Sequence, residues 1–177
     1  MKPVTVRPAS LDDAAAICTI YNQGIEDRVA TLETELRDVD ERRRWLSARG
    51  ARYPVVVAVS GVETVGWASL NVFNPRSCYD HVADISVYVE RKWRGQGVGR
   101  ILLAHLIELG RNRDFHKLVL ACFPTNKPGV ALYERMGFAP VGTYHEQGLL
   151  DGQWVDVLVM EQLLFPEGGC TPIRTSP

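Results

Sequence analysis

The chain has 177 residues, of which 46% are hydrophobic and 23% charged, as expected for one globular domain long enough to bury a core. Lys and Arg number 20 against 21 Asp and Glu, and this formal net charge of -1 excludes a general electrostatic attraction to nucleic acid or to anionic membranes. No stretch reaches the roughly 20 apolar residues that cross a bilayer, and the start of the chain lacks the apolar run of a signal peptide.

The first half of the chain predicts three strands and two helices. A strand over residues 4–7 precedes a helix that begins after Ser10, where apolar residues recur at steps of three and four. A strongly charged helix follows over residues 38–49. Two β-branched runs, 53–59 and 62–72, then predict buried strands joined by a turn.

The second half predicts six further elements. They are a strand over 82–90, a helix over 97–111, a strand over 117–123, a helix over 127–136, and strands over 141–145 and 154–161. Pro128 near the first turn of the fourth helix and Gly137 just past its end support those bounds. Asp151 and Gly152 mark a hairpin turn between the last two strands.

The element order β-α-α-β-β-β-α-β-α-β-β predicts an α/β fold in which helices pack on a mixed sheet. Residues 3–164 form one domain in this interpretation. Residues 165–177, rich in Gly, Pro, Ser and Thr, are predicted to be a flexible C-terminal tail.

The cysteines form no C-x-x-C pair and lie at no metal-ligand spacing from a histidine; they are Cys18, Cys78, Cys122 and Cys170. The histidines likewise show no ligand spacing. The sequence therefore predicts a reduced cytoplasmic protein without a metal site.

Glycine and basic residues concentrate directly after the strand at 82–90. The segment consists of Arg94, Gly95, Gln96, Gly97, Val98, Gly99 and Arg100. Three glycines in five residues let backbone N–H groups approach an anion, and the following helix directs its positive N-terminus to the same place. This arrangement suits a pyrophosphate; the alternative is a tight turn in a solvated basic loop. No Gly-Lys-Ser/Thr follows, which excludes a P-loop.

Two motifs resemble the GNAT N-acetyltransferase superfamily. Arg94-x-x-Gly97-x-Gly99 is similar to its acetyl-CoA pyrophosphate loop, and Asn126, followed by a helix with Tyr133 and by Gly137, is similar to its second signature. The resemblance covers residues 3–164. It implies a mostly antiparallel central sheet with splayed fourth and fifth strands, helices on both faces, acetyl-CoA as cosubstrate, and a homodimer.

Four shorter segments resemble the phosphinothricin and methionine sulfoximine N-acetyltransferase branch of that superfamily. They are Ile20-Tyr21-Asn22-x-x-Ile25, residues 30–34, Arg76-x-x-Tyr79, and residues 83–89. Members of this branch acetylate the α-amine of small amino-acid-like acceptors. The resemblance implies the same reaction here.

The resemblance also implies roles in cosubstrate binding. The backbone of Val87, Tyr88 and Val89 is expected to bind the pantetheine arm, residues 94–100 the pyrophosphate, and Asn126 the arm beyond the strand split. From position alone, Asn126 is equally well the N-cap of the next helix. Tyr133 is the candidate general acid for the departing thiolate; its alternative is a core-facing aromatic.

Asp84 is the candidate base that deprotonates the amine, directly or through a water, since branch relatives have the longer Glu there. Its alternative is a solvent-facing strand carboxylate. Arg76 is the candidate clamp for a substrate carboxylate, with Tyr79 in the same pocket and Glu26 at the end of the first helix. Both Arg76 and Tyr79 could instead lie in an exposed loop.

The expected mechanism is direct transfer in a ternary complex, with the oxyanion bound by a backbone N–H at Val87 or a neighbour. Cys78 or Cys122 could in principle form an acyl-enzyme, but no histidine partner is evident. Two other functions stay open: a non-catalytic acyl-CoA sensor, and acetylation of a protein amine.

Overall fold

A computed structural model of the chain describes residues 3–165 and consists of one seven-stranded sheet with helices on both faces. The strands are β1 (Val4–Pro8), β2 (Val55–Ser60), β3 (Glu63–Val72), β4 (Val82–Val89), β5 (Lys117–Cys122), β6 (Ala139–Leu150) and β7 (Gln153–Leu163). The helices are α1 (Ala14–Glu26), α2 (Val39–Ser47), α3 (Val98–Asn112) and α4 (Lys127–Arg135). The predicted tail lies outside the described residues, except for its first residue.

The strands lie in the order β1-β2-β3-β4-β5-β7-β6. Strands β4 and β5 pair in parallel, and the other neighbours pair antiparallel. The prediction of a mixed, mostly antiparallel sheet is confirmed. A parallel pair needs a crossover connection, and α3 supplies it between β4 and β5.

Two separate cores bury the two faces of the sheet. On one face, Leu102 and Leu106 of α3 pack among Ile85, Leu118 and other apolar residues of the central strands. On the opposite face, α1 and α2 cover a smaller cluster built from Ile17, Ile20, Leu46, Val55, Val57 and Trp67. The expected placement of helices on both faces is confirmed. Within residues 3–165, none of the helices combines the length and apolar character that a membrane crossing needs.

The first helix starts later than the sequence predicts. Residues 11–13 form a 3-10 turn, and α1 begins at Ala14. Asp13 accounts for the difference: its carboxylate accepts from the Ser10 N–H at 2.8 Å and forms a two-bond ion pair with Arg7 at 2.7 and 2.8 Å. These contacts hold the chain in a tight turn before the helix proper.

The last two strands are longer than predicted. Strand β6 runs over Ala139–Leu150, most of it exposed, whereas the pattern predicts only residues 141–145. Its pairing with β7 shifts register twice, around Gly142 and before Gly148, which breaks the alternation that the prediction relies on. The turn at Asp151 and Gly152 is confirmed, with φ of 48° and 77°.

Candidate active site

The central parallel strands separate partway along their length. Residues of β4 and β5 pair only from Val82 and Lys117 to Asp84 and Val119. Beyond that point β4 continues to Val89 without a partner on this side, while β3 remains paired to it as far as Val89. The expected splay is therefore present, and it opens a gap in the middle of the sheet.

The backbone of β4 offers hydrogen-bonding groups to this gap. The N–H of Glu90 donates to the Val65 carbonyl near the start of β3, at 3.0 Å. Because N–H and C=O groups alternate in direction along a strand, those of Tyr88 also point to β3, whereas those of Val87 and Val89 point into the gap. Of the three backbone units predicted to bind an extended arm, Val87 and Val89 have the right direction and Tyr88 does not.

The glycine-rich loop follows β4 and forms the entrance of α3. Gly95 and Gly97 have φ of 75° and 85°, a region that L side chains rarely occupy, and no atom lies within 4 Å of a Cβ built on either. Gly97 is the N-cap of the 15-residue helix that starts at Val98. A Cβ on Gly99 would lie 3.1 Å from Leu132, so this glycine allows α3 to approach α4. An open cradle of backbone N–H groups results.

The side chains of this loop lie in different surroundings. Val98 is buried in the core, so only its backbone belongs to the cradle. Gln96 folds back and donates to the Lys92 carbonyl at 2.5 Å. Arg100 is exposed on the first turn of α3. The side chains of the loop thus point in different directions, and the part of the loop available to an anion is its backbone.

The arginines beside the loop are paired with the carboxyl end of α1. Arg94 donates to Asp27 at 2.6 Å and to the Val89 carbonyl at 3.2 Å. Arg91 contacts Asp27 at 2.6 Å and Glu26 at 3.1 Å, and these hydrogen bonds lower the pKa of Asp27. Glu26, predicted to meet an acceptor, is therefore an ion-pair partner of Arg91, and Arg94 lies against the edge of the gap.

Asp84 lies at the point where β4 and β5 separate. It is partly buried, and this burial raises the pKa of its carboxyl to about 6, although hydrogen bonds from Asn71 and from the Ile85 backbone oppose the shift. The Asn71 side-chain amide donates to Asp84 at 3.3 Å and to Ser86 at 3.1 Å. Asp84 is therefore not a freely solvated carboxylate. Its raised pKa lies closer to neutral pH, as general base catalysis there requires.

Tyr133 projects from α4 into the same region. Its ring packs edge-on to Phe138 at a centroid distance of 6.1 Å. Burial raises the pKa of the Tyr133 hydroxyl well above its usual value, and the charges of Cys122 and Asp84 add to this effect. Burial also raises the pKa of Tyr88, which interacts electrostatically with Tyr133 and Asp84. The gap therefore brings together the carboxyl of Asp84 and the phenols of Tyr88 and Tyr133. Both phenols are protonated at neutral pH.

Asn126 has the structural role that its position suggests. Its Oδ1 accepts from the Gly129 N–H at 3.1 Å and caps α4, and Pro128 occupies the first turn. A Cβ at Gly129 would lie 2.7 Å from the Asn126 amide nitrogen. The cap fixes where α4 begins and, with it, the position of Tyr133. The role of Asn126 toward a cosubstrate stays a prediction.

Arg76 and Tyr79 lie in the loop between β3 and β4, close in sequence to Asn71 and Asp84. The Arg76 N–H donates to the Asn74 side chain at 3.0 Å, and the Tyr79 ring packs edge-on to Phe73 at 5.5 Å. Arg76 is exposed and Tyr79 partly buried. The exposed-loop interpretation fits Arg76, whose guanidinium is accessible to a ligand carboxylate, whereas Tyr79 packs partly buried against Phe73.

The two buried cysteines among the described residues, Cys18 and Cys122, lack the setting of a nucleophile. Cys122 is buried near Tyr133, and burial raises the pKa of its thiol to about 11. Cys78 is exposed, Cys18 is buried, and Cys170 lies outside the described residues. Across residues 3–165 there is also no group of three or more His, Cys, Asp or Glu side chains that could hold a metal ion.

Asn71 and Arg49 contribute to the site without having been predicted. Asn71 lies opposite Asp84 in the β3–β4 register, and Arg49, two residues beyond α2, donates to the Asn71 side-chain oxygen at 3.1 Å. The available signal was an asparagine near the end of a strand predicted to be buried. Only the strand register reveals what it faces.

Comparison with known proteins shows the family to which a chain with this geometry belongs. The Acetyltransferase (GNAT) family matches residues 17–138. The chain belongs to the GNAT acetyltransferase family. This GNAT enzyme is 32% identical to an L-methionine sulfoximine/L-methionine sulfone acetyltransferase of Pseudomonas paraeruginosa over 92% of the chain and 95% of that protein.

Two solved structures resemble this GNAT enzyme closely. A phosphinothricin acetyltransferase from Sinorhizobium meliloti in complex with acetyl-CoA has a TM-score of 0.90 and 26% identity, over 97% of this chain and 94% of that one. A ribosomal-protein-alanine N-acetyltransferase from Brucella melitensis has a TM-score of 0.87 and 36% identity, over 90% and 99%. The GNAT enzyme described here is accordingly an N-acetyltransferase, of a family that uses acetyl-CoA.

Proposed function

We propose that this enzyme transfers the acetyl group of acetyl-CoA to the α-amine of a small amino acid of the methionine sulfoximine or phosphinothricin type. The observation that carries the proposal is the pairing of a partly buried carboxyl, Asp84, with a protonated phenol, Tyr133, where β4 and β5 separate. The relatives named for these acceptors support the choice of substrate class.

The gap and the loop together fit the cosubstrate. The backbone groups of Val87 and Val89 that face the gap match the two amides of a pantetheine arm laid along β4 like an added strand, once Arg94 releases the Val89 carbonyl. The N–H groups of residues 94–100 match a diphosphate at the start of α3. Arg94 then exchanges Asp27 and the Val89 carbonyl for phosphate oxygens.

In the proposed mechanism, Asp84 on β4 accepts a proton from the acceptor amine and Tyr133 on α4 donates a proton to the departing sulfur. The acceptor arrives as an ammonium ion and becomes nucleophilic when Asp84 takes a proton, directly or through a water. Acetyl-CoA supplies the acyl group: a C–N bond forms, the C–S bond breaks, and the Val87 N–H stabilises the oxyanion. Tyr133 gives the sulfur its proton and is reprotonated by the second proton that leaves the nitrogen.

In this proposal, Asp84 and Arg76 determine which acceptors are used, because one deprotonates the amine and the other binds the α-carboxylate. With a pKa of about 6, the Asp84 carboxylate is charged at neutral pH and a stronger base than an ordinary aspartate. The exposed guanidinium of Arg76 follows the strand that carries Asn71 and can bind an α-carboxylate in two parallel bonds.

A thiol-release assay with acetyl-CoA tests the proposal. Acceptors are methionine sulfoximine, methionine sulfone, phosphinothricin, common amino acids and a polyamine. We expect saturable turnover with the first three and little with the polyamine. Asp84→Asn, which preserves shape, serves as the control for background thioester hydrolysis. Saturable acetyl-CoA binding without turnover of any acceptor would instead indicate an acyl-CoA sensor.

A second candidate is acetylation of a protein N-terminus. The solved ribosomal-protein-alanine N-acetyltransferase, at 36% identity, favours it. A peptide that begins with alanine therefore belongs in the same assay. Turnover of this peptide above that of free amino acids would replace the small-molecule proposal.

The enzyme is also proposed to be a homodimer. The β6–β7 hairpin exposes Val141, Tyr144, Leu149 and Trp154, an apolar surface that a second copy would cover. Light scattering of the purified chain should give twice the monomer mass of 19.8 kDa. The monomer mass across a concentration series would contradict this proposal.

A further inference from the structure

A series of hydrogen bonds runs from Arg49, just after α2, to Asp84. Arg49 donates through Nη2 to the Asn71 Oδ1 at 3.1 Å, and the Asn71 Nδ2 donates to the Asp84 Oδ2 at 3.3 Å. Ser69 Oγ also donates to the Asn71 oxygen at 3.0 Å. Arg49 follows α2, Asn71 lies in β3 and Asp84 in β4, so successive residues of the series are 22 and 13 positions apart in the sequence.

The orientation of the Asn71 amide follows from the chemistry of its neighbours. A guanidinium has donors and no acceptor, so the atom of Asn71 that faces Arg49 must be the oxygen. Its nitrogen then faces Asp84 and Ser86, both of which can accept. Arg49 and the Asp84 carboxylate therefore require the same orientation of Asn71, and the arginine anchors the amide by its oxygen while the nitrogen reaches Asp84.

Arg49 is itself held in place. Its Nε donates to the Tyr53 carbonyl at 3.0 Å, Nη2 also donates to the Leu70 carbonyl, and its guanidinium lies 5.0 Å from the Trp45 ring centre. Burial lowers the pKa of Arg49, yet a guanidinium keeps its charge at any physiological pH. The series of hydrogen bonds therefore begins at a fixed permanent positive charge.

We propose that Arg49 and Asn71 are positioning residues, which keep a fixed N–H donor on the Asp84 carboxylate at the mouth of the β4–β5 gap. The proposal rests on the proposed function, in which Asp84 is the base. It assigns a role in the reaction to Asn71 and to Arg49, which lies outside the gap. Both residues act on the reaction only through Asp84.

Besides Asn71, the Ile85 backbone N–H also donates to Asp84 and favours its charged form, but it belongs to the main chain of β4 and not to a side chain. On its own strand lie Ser86, the Ile85 N–H and Tyr88; from α4 comes Tyr133. The phenols stay neutral at neutral pH because burial raises their pKa values. Among the described side chains, Asn71, backed by Arg49, thus carries the interaction that favours the charged form of Asp84.

Two variants of Asn71 test the proposal. Asn71→Asp keeps the shape but replaces the donor with a second carboxylate, and Asn71→Leu removes the polar group. Both should move the acidic limb of the pH profile of kcat/KM upward by about one pH unit. A carbon-13 NMR titration of the Asp84 carboxyl, assigned with Asp84→Asn, should show the same upward shift in the absence of substrates.

Variants of Arg49 test the transmitted effect. Arg49→Met should shift the Asp84 titration in the same direction, and Arg49→Lys, which keeps a charged donor, should restore part of it. The matched control is Asn22→Ala. Like Asn71, Asn22 is an asparagine whose side-chain amide both donates and accepts: it donates to the Arg37 carbonyl and accepts from the Arg37 N–H, each at 2.9 Å. Neither hydrogen bond involves Asp84. The control substitution should lower the thermal midpoint and leave the titration unchanged.

The readouts separate this proposal from the proposed function. An NMR titration of Asp84 that is the same in wild type and in both Asn71 variants would overturn the positioning role. If the NMR titration moves and the acidic limb of kcat/KM does not, the positioning role stands and Asp84 is not the base.

Discussion

Replacing Asp84 with asparagine is expected to stabilise the folded protein at pH 8 while it removes the proposed base. The carboxyl has a pKa of about 6 in the folded protein against 3.8 as the ordinary value, a difference of about 2.2. At 1.36 kcal/mol per pKa unit, ionising this group in the folded state costs at most about 3 kcal/mol of the free energy of unfolding. Asparagine keeps the shape and avoids the cost.

The pH dependence gives the sign of the effect. Between the two pKa values the unfolded chain binds fewer protons than the folded chain, so the stability contributed by this group falls as pH rises from about 4 to about 6. Below this window both states are protonated and the wild type carries no penalty. Above it the penalty is complete, and the advantage of Asp84→Asn reaches its maximum.

Urea unfolding near pH 4 and near pH 8 measures this effect, and Asp13→Asn provides a control of opposite sign. Burial alone would raise the pKa of Asp13, but hydrogen bonds and charge from Arg7 and Ser10 lower it to about 2. That difference, 3.8 minus 2 or about 1.8, makes Asp13→Asn less stable at pH 8 by up to about 2.5 kcal/mol. If Asp84→Asn is no more stable than wild type at pH 8, the burial argument is wrong.

Three further substitutions probe the gap and its loop. Tyr133→Phe should lower kcat by about a hundredfold, the low end of the roughly 10²–10⁴ expected for a lost general acid, and leave the acetyl-CoA Kd nearly unchanged in calorimetry. Gly97→Ala should weaken acetyl-CoA binding about tenfold, because an L residue at φ of 85° costs about 1–2 kcal/mol; Gly50→Ala, at a glycine with ordinary φ and open space, should have no effect. Arg76→Ala should raise KM for acidic acceptors and spare a decarboxylated amine, and an equal loss for both would contradict the clamp.

The sheet could be predicted largely from the sequence because most of its strands are buried. Residues 53–59 and 62–72 are rich in apolar and β-branched side chains, and they correspond to two interior strands of the sheet, β2 and β3. Strand β6 could not be bounded, since it is exposed on most of its length and gains its pairing from β7 rather than from its own pattern. The start of α1 depends on an ion pair between Arg7 and Asp13, which helix periodicity does not record.

The site was predictable where a motif is local and not where it depends on register. The loop at residues 94–100 and the cap at Asn126 are each contained within a short segment, so their residue types alone indicate the backbone geometry. The contact of Asn71 with Asp84 requires the β3–β4 register, and that of Arg94 with Asp27 joins residues 67 positions apart. Neither contact leaves a periodic signal.

The surroundings of Cys122 argue for direct transfer over a covalent route. A thiol with a pKa of about 11 is ionised to only about one part in ten thousand at pH 7, and a thioester exchange needs the thiolate. The neighbouring Tyr133 and Asp84 offer no positive charge that would lower this pKa. The same burial keeps Tyr133 protonated and makes Asp84 a stronger base. Burial thus disfavours the Cys122 thiolate and, in the proposed mechanism, favours the protonation states that direct transfer requires of Asp84 and Tyr133.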